Sequence, residues 1–140
     1  VQKSENKIET KENFSGQILV AEDNPNNQLL IKIVLQKLGL DVTIVENGQL
    51  AVEKYQSENF DLVFLDINMP IMDGLTALKH IRAYEKDIQK YTPIIALTAN
   101  SINGDRERYI DEGMDNYLSK PFDRNQLIAI LHLYINKNEY

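Results

Sequence analysis

Glu22, Asp23, Asp66, Thr98 and Lys120 are residue types that can hold a metal ion and handle a phosphoryl group, and all follow short strand-like runs. Glu22-Asp23 follows "QILVA" (17–21). Asp66 follows "DLVFL" (61–65), Thr98 follows "PIIAL" (93–97), and Lys120 follows "NYLS" (116–119). A carboxylate at the end of a buried run is either a turn former or a group the protein uses. If the first and third runs are neighbours, Glu22, Asp23 and Asp66 meet at one mouth. Carboxylates that close raise one another's pKa values unless a cation sits among them. Hard oxygen ligands suit magnesium, which keeps waters and takes phosphate oxygens as partners. Lys120 adds a point positive charge suited to phosphate, and Thr98 a hydroxyl donor.

The apolar runs read as buried strands, with "DVTIV" (41–45) as the second in chain order. Between them the period changes to that of helices. Asn24-Pro25 suits a helix start, with Leu29, Leu30, Ile33, Val34 and Leu38 at helical spacing and Gly39 as the stop. Asn47 caps a second helix, Gly74 to Ala83 is a third, about 102 to 112 a fourth, and Asp123 caps the last. Strands alternating with helices predict right-handed crossovers and a parallel sheet covered on both faces. "LVFL" and "IIAL" are apolar at consecutive positions, as strands buried on both sides are. Ligands of such sheets bind outside the carboxyl ends of the strands, where the polar residues stand.

With 140 residues, the chain is expected to form one domain: residues 1–15 a flexible lead-in, 16–138 the folded unit. Its net charge of -6 argues against direct binding to nucleic acid or to an anionic membrane. The absence of cysteine removes disulfides and thiolate metal sites. There is no GxGxxG after a strand and no Walker A motif, so a dinucleotide or P-loop site is not expected.

"VAEDNPNN", "DLVFLDINMPIMDG", "PIIALTAN" and "DNYLSKPF", in this order, resemble the receiver (response-regulator) domain of two-component signalling over about residues 17–136. The resemblance implies a flavodoxin-like sheet of order 2-1-3-4-5. It implies that Asp66 accepts a phosphoryl group from a phosphohistidine and that the domain then changes conformation. It implies magnesium held by Glu22, Asp23, Asp66 and the backbone carbonyl of Asn68. It implies phosphoryl contacts from Lys120 and Thr98, a switch pairing Thr98 with Tyr117, and a cis Lys120-Pro121 bond. Glu22 stands where many members have Asp. The implied partners are a histidine kinase domain or a histidine phosphotransfer protein. The implied state is a cytoplasmic monomer with phosphorylation-dependent dimerisation as an option. The implied catalysis is confined to the domain's own aspartyl phosphorylation and slow dephosphorylation. The opening Val1 and the charged lead-in favour a receiver cut from a hybrid histidine kinase, tethered to a membrane kinase, over a stand-alone regulator.

Other readings fit less well. An aspartate-nucleophile phosphatase of the haloacid dehalogenase type wants a second Asp where Asn68 stands. A flavin carrier wants a phosphate cradle after the first strand, and "EDNPNN" is acidic there. A docking module with a degenerate site would lack acceptor residues that this chain has. Tyr117 could simply pack on an edge strand, and His80 and His132 read as surface or boundary residues.

Overall fold

The computed structural model describes residues 13–99 and 105–135. Five parallel strands lie in the order β2-β1-β3-β4-β5. They are β1 Gln17–Ala21, β2 Asp41–Val45, β3 Leu62–Asp66, β4 Ile94–Thr98 and β5 Asn116–Ser119. The helices between and after them are α1 Pro25–Lys37, α2 Gly48–Ser57, α3 Gly74–Ile88, α4 Asp105–Glu112 and α5 Arg124–Tyr134. The order reverses between β1 and β3, so the mouth above those two strands is the place where a crevice must open.

Alternation along the strands makes two apolar layers. Ile18, Val20, Leu62, Phe64, Ile95 and Leu97 face one side, against Ile31 and Leu35 of α1 and Leu127 and Leu131 of α5. Leu19, Val63, Leu65, Ile94 and Ala96 face the other, against α2, α3 and Tyr109 of α4. Phe64 is wholly buried, so Phe64→Ala should cost about 3–5 kcal/mol.

The helix starts follow the capping residues. The Asn24 side chain accepts from the Asn26 and Asn27 amides at 2.8 and 3.1 Å, and Asp123 forms a capping box with Gln126. α3 runs one turn beyond the expected Ala83, to Ile88, because Glu85 near its end is buried among polar partners. The Glu85 carboxylate accepts from Tyr55 Oη at 2.5 Å, from the Thr92 amide at 2.9 Å and from the Arg82 guanidinium at 2.8 Å. This network ties α3 to the start of β4, at the end of the sheet opposite the acidic mouth.

Phe14, assigned to the lead-in by composition, is wholly buried in the layer under α1 and α5. Its amide donates to the Leu38 carbonyl at 2.7 Å. Gly39, at φ 100°, admits this segment: a Cβ there would lie 2.5 Å from the Phe14 carbonyl oxygen. The rest of the expected lead-in, 1–12, lies outside the described residues, as do 100–104 at the start of the expected fourth helix and 136–140.

Candidate functional site

The carboxyl ends of β1, β3 and β5 bring four of the expected residues together. Carboxylate oxygens of Glu22, Asp23 and Asp66 all lie within 4.8 Å of one another. Lys120 Nζ is 2.8 Å from Asp66 Oδ2 and 2.8 Å from Glu22 Oε1. Asp66 is paired in register with Leu97, so its side chain leaves the sheet on the same face as Leu97 and Leu118. Lys120, two residues after Leu118, leaves on that face too. The peptide bond that follows it, Lys120-Pro121, is cis.

The loop after β1 is held from both sides. Glu22 Oε2 accepts from the Asn24 amide at 3.0 Å, and Gln28 Nε2 donates to the Glu22 carbonyl at 2.5 Å. Glu22 and Asp66 are buried, whereas Asp23 is exposed at the rim. Asn68 is also exposed and lines the same open cleft with Asn24 and Ala99. Its amide donates to Asp66 Oδ1 at 3.2 Å.

After Asp66 the chain turns under strain. Met72 donates its amide to the Pro70 carbonyl at 2.7 Å, which places Ile71 at φ 70° with 82% of its surface exposed. A β-branched residue in that region costs on the order of 1–3 kcal/mol. The loop ends at Gly74, whose amide donates to the Ile67 carbonyl at 2.9 Å.

The charges at the mouth are not balanced in the usual way. The Asp66 carboxyl is raised to about 6: burial is the main cause and the charge of Glu22 adds to it, while Lys120 and the Asn68 amide pull the other way. Like-charge crowding therefore acts as expected, but removal from water is the larger cause. Burial opposes the charge on Lys120; the hydrogen bond to Asp66 and the close Glu22 carboxylate outweigh it, and the ammonium is held above its ordinary value.

Thr98 and Tyr117 are placed differently. Thr98 is two residues beyond Ala96, and Ala96 is in register with Tyr117. Both side chains thus leave the sheet on the face away from the Asp66–Lys120 pair. The wall of the cleft at the end of β4 is formed by Ala99. The Thr98 hydroxyl lies 3.4 Å from the Tyr109 hydroxyl, and Arg106 stacks over the Tyr117 ring with its guanidinium carbon 5.3 Å from the centroid. Tyr109 was not singled out in the sequence, where an α4 tyrosine carries no signal of its own. Gly74 was read only as a helix start.

The chain is similar to known proteins in sequence and fold. Residues 18–132 match the response regulator receiver domain family, and the chain belongs to it. The chain is 41% identical over 125 residues to hybrid signal transduction histidine kinase I of Dictyostelium discoideum, covering 86% of this chain and 7% of that protein. It is 42% identical over 115 residues to the sensor protein GacS of Pseudomonas syringae pv. syringae, covering 81% of this chain and 13% of that protein. The chain thus spans a small part of the curated relatives it matches. Among solved structures it is similar to the receiver domain of a sensor histidine kinase from Pseudomonas aeruginosa PAO1. That structure has a magnesium ion coordinated in the active site cleft; identity is 42%, TM-score 0.77, and coverage 86% of this chain and 97% of that one. It is also similar, at 28% identity and TM-score 0.80, to the receiver domain of the Saccharomyces cerevisiae response regulator Ssk1, solved with the histidine phosphotransfer protein Ypd1. Coverage there is 86% of this chain and 89% of that one. The chain is a receiver domain of the two-component and phosphorelay type. No helix among the described residues is long and apolar enough to cross a membrane.

Proposed function

We propose that Asp66 is the phosphoacceptor and that its phosphoryl group comes from a phosphohistidine on a histidine phosphotransfer protein or a kinase domain. A carboxylate oxygen of Asp66 attacks phosphorus, the phosphorus–nitrogen bond breaks, and the leaving imidazole takes up a proton. The observation that carries this reading is the contact of Lys120 with Asp66, across 54 residues of sequence, at the mouth of the sheet. A cation held there can follow charge from the carboxylate to the phosphoryl oxygens, and such reactions depend mainly on positioning and charge neutralisation.

The donor set fits magnesium. Oxygen atoms of three carboxylates converge, and buried Glu22 Oε1 accepts no well-formed hydrogen bond, having the Lys120 charge beside it. Glu22, Asp23 and Asp66 would hold the ion, with the backbone carbonyl of Asn68 as a further ligand. Bound there, magnesium supplies positive charge to the phosphoryl oxygens. Asn24 and Gln28 orient the Glu22 loop, and Lys120 keeps Asp66 aligned.

A helical donor must reach Asp66 in line, so the surface next to the mouth must receive it. α1 begins there and exposes Leu29, Leu30 and Ile33 at 58%, 46% and 43%. Thr98 and Tyr117 then report the new charge to the α4–β5–α5 surface. The test is transfer from a phosphorylated histidine phosphotransfer protein. The wild type should gain one phosphoryl group, and Asp66→Asn none. Retention of the label on the donor after mixing with wild type would refute the reading.

A further inference from the structure

α4 is a polar helix, "DRERYIDE", and Tyr109 is its buried residue, at 4% exposure. The ring lies in the apolar layer with Ala77, Leu78, Ile81 and Ala96. Phenylalanine would fill that space as well. The phenol adds a hydroxyl that must find a partner when buried, and its partner is the Thr98 hydroxyl at 3.4 Å. Thr98 is itself 1% exposed and directed away from the Asp66–Lys120 face.

A threonine side chain occupies staggered wells and moves between them by rotation about one bond. With its hydroxyl at Tyr109 it is on the far face from Asp66. To donate to a phosphoryl group on Asp66 it must turn toward the cleft and leave Tyr109. The two contacts exclude each other. We infer that Tyr109 is a latch on Thr98: its phenol stabilises the resting position of the Thr98 hydroxyl and is released when Asp66 carries a phosphoryl group. This rests on the reading of Asp66 as phosphoacceptor. Tyr109 is a positioning residue, acting through Thr98.

A contact made in one state biases the equilibrium by its own free energy. At 3.4 Å the bond is long and hence at the weak end. Tyr109→Phe should therefore tighten binding of beryllofluoride, a phosphoryl mimic, by about two- to threefold, the low end of what one hydrogen bond is worth.

The experiment compares wild type, Tyr109→Phe, Thr98→Ala and the double variant. Each is titrated with beryllofluoride in the presence of magnesium and followed by amide spectra. Tyr109→Phe should bind more tightly than wild type, and the gain should vanish in the Thr98→Ala background. A purely structural effect of Tyr109 would persist there, and persistence overturns the latch, as does unchanged affinity in Tyr109→Phe. Should the variants fold poorly, the wild type alone decides: the Tyr109 ring signals must shift when the mimic binds, and ring signals that stay in place overturn the proposal. Labelling of wild-type Asp66 by acetyl phosphate runs in parallel. Failure of that labelling rejects the phosphoacceptor reading and the latch with it; labelling without the Tyr109 effect rejects the latch alone.

Discussion

Gly74 lies against the main chain of Asp66: a Cβ at position 74 would sit 2.2 Å from the Asp66 carbonyl oxygen and 2.9 Å from the Ile67 Cα. These neighbours are backbone and cannot swing aside. The start of α3 and the end of β3 therefore fix each other, and the position of Asp66 depends on a residue that has no side chain.

Gly74→Ala sets two effects against each other. Alanine in place of glycine favours a helix by up to about 1 kcal/mol. Forcing apart a packed contact costs about 1–3 kcal/mol, and here the obstacle is rigid, so the cost should win. The melting temperature should fall. Labelling of Asp66 by acetyl phosphate should slow by about tenfold or more, since small misplacements of reacting groups are expensive. A variant as stable and as quickly labelled as wild type would show that the contact relaxes freely.

Magnesium and protons should compete at the mouth. The Asp66 carboxyl is raised from 3.8 to about 6. Between those values the folded protein holds more protons than the unfolded chain, so without metal its stability should fall as pH rises through that window. Magnesium binds the ionised form. Its affinity should weaken from pH 8 to pH 5, and it should raise the melting temperature most above pH 6. Calorimetric titration across this range checks both; a flat magnesium affinity would contradict the acidic cluster.

Charge on α1 should separate the two kinds of donor. Leu29→Glu and Ile33→Glu lie on exposed positions of α1, the helix that begins at the mouth. Transfer from a phosphotransfer protein should slow, because an apolar contact is replaced by a desolvation cost. Labelling by acetyl phosphate, which needs no docking, should be unchanged. Equal slowing with both donors would mean that the substitutions had disturbed the site.

Thr98→Ala should still accept a phosphoryl group, since Lys120 and the acidic cluster remain. It should transmit less. With beryllofluoride bound, amide perturbations at Tyr117 and along α5 should be smaller than in wild type. Perturbations of equal extent would reduce Tyr117 to a packing residue under Arg106.

Much of the fold and of the mouth is legible in the amino-acid sequence. Strands with consecutive apolar residues, capped helices and polar residues after each strand identify a parallel sheet and its mouth. Glu22, Asp23, Asp66 and Lys120, which the fold brings together, stand out in the sequence because their types are costly at the ends of buried strands. The boundaries were less legible. Asp66 and Thr98 are themselves last strand residues, since the ladder continues to Leu97 and Ser119. Phe14 and Glu85 escaped notice because each lies in a polar stretch and is buried by partners distant in sequence. The side of the sheet on which Thr98 rests, and its approach to Tyr109, depend on register and on the seating of α4. Neither leaves a periodic trace.

The central claim is that Asp66 alone receives the phosphoryl group, in a reaction that needs magnesium. The most direct measurement is intact mass after incubation with acetyl phosphate, with magnesium or with excess chelator, for wild type and Asp66→Asn. The wild type should gain one phosphoryl group with magnesium and none with chelator, and Asp66→Asn should gain none in either. Full labelling of Asp66→Asn, or of wild type in chelator, would contradict it.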